Sequence, residues 1–252
     1  MSDIQACAEI VQKSDPDRFA AVMAAPVWMR EKLFPLHAFA IEVARAPWAT
    51  QEPMIAEMRV QWWRDALAEI AEGKSARRHE VVSPLAEVLN PDVAKMLDGF
   101  VEVRRWDIYK EPFDDEAHLQ DYLKQSSGFL YRAICLSLDV DDSASVEFGY
   151  AVGLANFLIA VPELEARGRI PLLDGRSEGI KALAKTGLDA LQLVKQQSLP
   201  KTVRSAFLPG WQAESILKKA VAQPELVALG ALNDSEAAKK MRLIWKTFSG
   251  RI

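Results

Sequence analysis

An all-α fold is what this 252-residue sequence predicts, and three observations predict it. Strand signals are nearly absent. Helix starts and stops are frequent, with acidic or amide caps, prolines at first helical positions and glycines after last turns. Apolar residues recur at three- and four-residue steps, most clearly between Phe34 and Ile70.

The elements follow in order. Ser14-Asp15-Pro16 sets an acidic cap before a proline at the first helical position and starts a helix through about Ala25. Pro26 opens the next, which carries Trp28, Met29, Leu33 and Leu36 towards Arg45. A link of about seven residues, Pro47 to Pro53, then predicts an antiparallel neighbour in direct contact. That neighbour runs from Met54 through Trp62 and Trp63 to Gly73, a C′ glycine. After a basic loop from Lys74 to His79, Asn90-Pro91 starts a helix reaching about Tyr109, stopped by Pro112. Asp114-Asp115 caps a long helix through Tyr122 and Leu138, with Ser126-Ser127-Gly128 as its weak spot. Asp141-Asp142 caps another, to about Glu165, and Arg167 to Pro171 form a turn. The C-terminal third reads as shorter helices broken at Ser198-Leu199-Pro200, Pro209-Gly210 and Pro224, with the last beginning near Asp234.

Composition narrows the classes. A 50% hydrophobic content suits one large domain, and no linker, composition shift or repeat divides it, so residues 1–252 are read as a single domain. A net charge of −4 argues against a nucleic-acid binder, which usually carries a basic surplus. Cys7 and Cys135 sit in apolar surroundings and suit core packing in a reduced compartment. The N-terminus shows no basic region followed by an apolar one, so no signal peptide is expected. No apolar run reaches the roughly 18 residues of a membrane span. The expected location is cytoplasmic, or peripheral to the inner membrane.

Four stretches, taken in order and spacing, carry a resemblance. They are Ser14 to Phe19; Leu36-His37-Ala38-Phe39 with Met58 to Asp65; Asp121-Tyr122 with Ser126-Ser127-Gly128; and Asn156-Phe157-Leu158 with Arg167-Gly168-Arg169-Ile170. Together, over roughly residues 6–174, they resemble the squalene/phytoene synthase family. The resemblance implies an isoprenoid synthase-like helical bundle with a central cavity. Catalytic members of that family carry aspartates one turn apart on two facing helices, where they hold Mg²⁺ on the diphosphate of an allylic substrate. Mg²⁺ takes hard oxygen ligands, and an i, i+4 spacing aims both carboxylates at one point.

The positions that would carry those aspartates here read Ala44, Arg45 and Trp48 on the first helix, and Ala160 and Leu164 on the second. A guanidinium at Arg45, about 5 Å from a divalent ion, would repel it by roughly 6–7 kcal/mol at an effective dielectric near 20. No catalytic residue, metal ligand or cofactor is therefore assigned. Glu42-Val43-Ala44, the run Met58 to Asp65 and Asn156 to Pro162 resemble the branch containing mitochondrial complex I assembly factor-like proteins and their proteobacterial relatives. That branch implies a non-catalytic binding or assembly protein whose partners are complex I subunits. The alternatives are an active prenyl diphosphate transferase that holds Mg²⁺ through Glu42, Glu57 or Glu163, and a carrier of an isoprenoid diphosphate or lipid. Trp48, Ile159 and Leu164 are bulky enough to fill the cavity.

Candidate ligand-binding residues are Glu42, Arg45, Arg59, Tyr122, Asn156, Arg167 and Arg169. Arg45 suits either a phosphate reader or an ion pair with Glu42 three residues earlier. Arg167 and Arg169, in the turn after the second helix, suit phosphate contact or solvated loop charges. Arg59 lies beside Trp62 and Trp63, where a cation–π contact is possible, with one tryptophan in the core. Asn156 suits a ligand contact or a buried amide tying two helices. His37, His79 and His118 lack zinc spacing. No Ser-His-Asp order, P-loop or dinucleotide fingerprint appears. In the last helix Met241, Ile244, Trp245 and Phe248 form a stripe, with Lys239, Lys240, Arg242, Lys246 and Arg251 around it. Such a helix either docks its stripe on the core or lies on a membrane surface through 239–251.

Overall fold

The computed structural model describes residues 3–250, and within them every regular element is helical. Fourteen α-helices occur among the described residues: α1 Asp3–Ser14, α2 Pro16–Ala24, α3 Val27–Arg45, α4 Pro53–Ala71, α5 Val82–Val88, α6 Pro91–Glu102, α7 Glu116–Leu123, α8 Phe129–Ser137, α9 Ala144–Ala166, α10 Ser177–Lys195, α11 Lys201–Ala206, α12 Ala213–Ala222, α13 Glu225–Ala228 and α14 Glu236–Ser249. Several begin where the sequence places a cap. The Asp15 carboxylate accepts from the Arg18 backbone N–H at 2.9 Å, Asn90 from Val93 at 2.9 Å and Asp115 from His118 at 2.8 Å. Each satisfies a donor that the first turn leaves without a helical partner. Gly73, at φ +68°, follows α4 in the left-handed region, as expected of a C′ glycine.

Several boundaries differ from the sequence reading. Helices α1 and α5 were not anticipated. The segment after Asn90 is α-helical only to Glu102 and tightens into a 3₁₀ turn over Val103–Asp107. The long helix expected from Asp115 to Leu138 is split by a π-helical turn, Lys124–Gly128, at the predicted weak spot. Helix α4 packs along α6 rather than along α3, which it meets through the edge of Trp63 against Phe39, 5.5 Å between ring centroids.

Helix α9 is the centre of the fold. It packs against α8, α10, α12 and the π turn. By length and composition it could cross a membrane, contrary to the expectation that no segment could. Its apolar window is nevertheless 67% buried inside the protein, which accounts for that composition. Two of its glycines permit a close approach in the core. A Cβ on Gly149 would lie 2.5 Å from the Ser127 carbonyl oxygen and 2.6 Å from the Gly128 Cα, and one on Gly153 would lie 2.7 Å from the Ser127 Cβ. The π turn thus rests directly on the α9 backbone.

His37, in α3, is fully buried, and neither ring nitrogen has a hydrogen-bond partner. Burial, with the nearby Arg18 charge, pushes its pKa well below the ordinary imidazole value.

Two outcomes follow. Gly149→Ala gains helix propensity but forces a methyl into backbone, so we expect a net loss of about 1–3 kcal/mol in urea unfolding. An unchanged midpoint would mean that the π turn yields freely. For His37, the unfolded chain takes up a proton near pH 6.5 and the folded chain does not, so stability falls as pH drops below that value. His37→Leu should flatten the fall between about pH 6.5 and 5, measured by thermal melts. An identical slope in the variant would assign the acid sensitivity to other groups.

Candidate functional site

An open cavity of about 590 Å³ lies between α3 and α9, closed at its sides by α6, the π turn and the α1–α2 junction. One face of α9, with Arg167 at its C-cap, lines it with Gly153, Asn156, Ala160, Glu163 and Arg167, a three- and four-residue spacing that keeps all five positions on that wall. Helix α3 supplies Ala40, Ile41, Ala44 and Arg45, and Trp48 follows in the 3₁₀ turn beyond it. The five positions at which the resemblance expects aspartates, Ala44, Arg45, Trp48, Ala160 and Leu164, therefore line a single cavity. Trp48 and Leu164 shape its wall without filling it. Ile159 borders a smaller adjoining pocket of about 150 Å³, which shares Asp15, Arg18 and Asn156 with the larger one.

Four arginines and three carboxylates reach the cavity, and each carboxylate is already matched. Arg18 Nε lies 3.0 Å from Asp15, Arg167 donates to Glu163 at 2.7 Å, and Arg104 lies 3.4 Å from Asp107. Arg45 donates to Glu42 at 3.1 Å and to the Ser14 hydroxyl at 2.8 Å, and it is 52% exposed. Glu57 pairs with Arg105 and does not line the cavity. No group of three or more His, Cys, Asp or Glu side chains able to hold a metal occurs among the described residues. Mg²⁺ favours carboxylate and phosphate oxygens without a competing cation. A cavity whose every carboxylate faces a guanidinium does not fit that ion.

The back of the cavity is a buried polar knot. The Tyr122 hydroxyl donates to the Asp107 carboxylate, 3.2 Å to its nearer oxygen, and accepts from Arg104 at 2.9 Å. Burial raises the Asp107 pKa against the pull of Arg104 and Arg169, and it raises that of Tyr122 as well. Burial also opposes the Arg104 charge, but Tyr122 and Asp107 outweigh it and hold its pKa above the usual value. Arg169 fastens the knot from behind. It donates to the backbone carbonyls of Asp107, at 2.7 Å, and of Trp106, and its guanidinium lies 3.9 Å from the Trp106 ring centroid.

The candidate residues thus separate. Tyr122, Asn156, Arg45 and Arg167 share the cavity. Asn156 is not the buried, satisfied amide that one reading allowed. It is exposed to the cavity and makes no hydrogen bond among the described residues, because α9 passes the opening at that turn. Arg169 is not a solvated loop charge, since it is 4% exposed and bonded to backbone. Arg167 is half exposed and lies over Trp48, 4.8 Å from the ring centroid. Glu42 holds Arg45 from outside the lining. Arg59 sits on the exposed face of α4 and does not reach the cavity; the cation over Trp62 is Arg77, at 5.3 Å, while Trp63 is core. The sequence reading missed Arg104 and Asp107. Their signal was an arginine and an aspartate one turn apart before the Pro112 stop.

The last helix reverses the docking expectation. Lys239 pairs inward with Asp17 at 2.7 Å, Arg242 reaches Asp234 and Ser215, and Lys246 is buried. The stripe of Met241, Ile244, Trp245 and Phe248 faces outward, with Phe248 89% exposed. Arg251 lies outside the described residues.

An all-α bundle built round a cavity between two facing helices is the architecture of the squalene and phytoene synthases. The chain belongs to the squalene/phytoene synthase family, whose model matches residues 11–174. Among curated proteins it is similar to the NADH dehydrogenase (ubiquinone) complex I, assembly factor 6 homolog of Drosophila melanogaster. The two are 24% identical over 282 residues, covering 97% of this chain and 83% of the fly protein. It is also similar to complex I assembly factor 6 of Bos taurus and of Homo sapiens, each 24% identical over 170 residues that cover 65% of this chain. The match spans about half, 51%, of those two mammalian proteins. Among solved structures, a dehydrosqualene synthase in complex with ligand superposes with a TM-score of 0.67 at 16% identity, over 98% of this chain and 95% of that one. A squalene synthase from Alicyclobacillus acidocaldarius gives 0.60 at 17% identity, over 98% and 94%. These two likenesses establish the fold.

The separation of the arginines is measurable. Arg169→Met leaves two buried carbonyls without donors and should cost about 2–4 kcal/mol in urea unfolding. Arg45→Ala removes a largely exposed pair and should cost no more than about 1 kcal/mol. Equal losses would mean that Arg169 does not hold the knot together.

Proposed function

We propose that this chain is a non-catalytic member of its family that serves as an assembly factor for respiratory complex I. The observation that carries the reading is the cavity wall: Ala44, Arg45, Trp48, Ala160 and Leu164 stand together where the family resemblance expects metal-binding aspartates. Catalysis of diphosphate departure needs a concentrated positive charge on the leaving group. Here the residual carboxylates are held by arginines, so the transferase reading would require several ion pairs to break before Mg²⁺ could be held. The names of the similar fly, bovine and human proteins support the assembly role. In this reading the partners are complex I subunits, no cofactor is used, and the chain works on the cytoplasmic side, peripheral to the inner membrane. The outward apolar stripe of α14 supports a contact there.

One observation favours a second reading, a carrier. The cavity is open, Asn156 offers free amide donors and acceptors, and Arg45 and Arg167 stand at its mouth. An isoprenoid diphosphate or lipid headgroup could be held by guanidinium groups without metal.

Two measurements test these readings. Membranes from a deletion strain should retain only a small fraction of parental NADH:quinone oxidoreductase activity, restored by the wild-type gene. Normal complex I would overturn the assembly role. Calorimetry with farnesyl thiodiphosphate should give either no heat or binding indifferent to Mg²⁺. Binding that requires Mg²⁺, with diphosphate release from farnesyl diphosphate, would overturn the non-catalytic reading. Binding lost in Arg45→Ala would support the carrier.

A further inference from the structure

A second cleft lies far along the chain from the central cavity, among the C-terminal ends of α10 and α14 and the adjoining parts of α11 and α12. Its volume is about 660 Å³. Lys246 lines it and is itself only 7% exposed, with no hydrogen bond or ion pair to its ammonium among the described residues. Arg204 lines the same cleft, exposed and likewise unpaired. The carboxylate in the lining is Glu214, and Lys195 at 2.6 Å and Lys218 at 2.8 Å already engage it.

An ammonium on a side chain this enclosed, with no ion-pair partner, keeps only part of its hydration where the cleft opens to it, and that costs free energy. Burial is also the main cause of its lowered pKa, about 8; Glu214 attracts the charge while Lys195, Arg242 and Lys218 repel it. A methionine would fill the same space at less cost in stability. The lysine therefore makes sense if an anion completes the site.

We propose that this cleft binds a phosphate-bearing anion, with Lys246 as the deepest contact and Arg204 and Lys195 closing on it. The charge selects the class. Three cations from three helices face one carboxylate that a fourth cation shares, a surplus that suits the dianion of a phosphate monoester better than a single carboxylate. Leu199 and Trp245 line the remaining wall. Trp245 also belongs to the outward stripe of α14, so an apolar group attached to the phosphate has a continuous path along Trp245 towards Ile244 and Phe248. This site is independent of the complex I reading and of the central cavity.

Titration calorimetry with inorganic phosphate and with dihexanoyl phosphatidic acid, below its micelle concentration, tests the site. Dihexanoyl phosphatidylcholine serves as control. We expect both phosphates to bind and the zwitterionic control not to. Tighter binding of the lipid would assign the source as a lipid headgroup, and equal binding as free phosphate. Lys246→Met and the surface variant Arg204→Gln should each weaken binding about tenfold. In wild type, acylation of Lys246 by an N-hydroxysuccinimide ester at pH 8, mapped by mass spectrometry, should slow when phosphate is added. No binding of either phosphate, or unaltered binding in both variants, overturns the proposal.

Discussion

A helix apolar on nearly every side has to be enclosed, and enclosing α9 sets the rest of this architecture. Its buried surface runs from Ala144 to Leu164, and α8, α10 and α12 cover it. Where the π turn approaches, α9 carries glycine, because a backbone can be brought that close only when no Cβ intervenes. A stripe of α9 through Asn156, Ala160 and Glu163 is left uncovered, and that stripe forms a wall of the cavity. The cavity therefore lies where the neighbours of the central helix leave this face of it open.

The chemistry of that space is arginine chemistry. Guanidinium groups hold geometry through forked donors, remain charged when buried, and match carboxylate and phosphate alike. Arg104 uses those properties to tie the 3₁₀ turn after α6 to Tyr122 of α7, and Arg169 to tie the same turn to the loop after α9. Arg18, Arg45 and Arg167 stand nearer the opening, each with one carboxylate. Such pairs exchange partners at small cost when exposed, so an incoming anion competes with a side-chain carboxylate rather than with a metal.

Much of this was legible in the residues. Caps and breakers located most helices, since Asp15, Asn90, Asp115 and Gly73 act through backbone groups only a few residues away. Ser126-Ser127-Gly128 was visible as a weak spot, but its π geometry depends on Gly149, more than twenty residues on. The family resemblance brought Ala44, Arg45, Trp48, Ala160 and Leu164 together correctly. Arg169 and Asn156 were misjudged because burial is set by which helix passes behind a residue, and local sequence does not carry that. The last helix misled for a related reason. A basic amphipathic pattern normally faces its apolar stripe inward, yet Asp17, far back in the sequence, and Asp234, just before the helix, draw Lys239 and Arg242 to the core instead.

The two cysteines offer a use that their chemistry alone would not suggest. Cys7 and Cys135 are both fully buried, and burial pushes each thiol up to about 12. Neither presents a thiolate to solvent while its surroundings stay closed. Cys7 sits in α1 with its sulfur against the Glu80 carbonyl before α5, whereas Cys135 belongs to α8 in the central layer. Their rates of alkylation are thus two separate clocks. One times the lifting of the N-terminal helix from the rim of the bundle, and the other the opening of the layer that encloses α9.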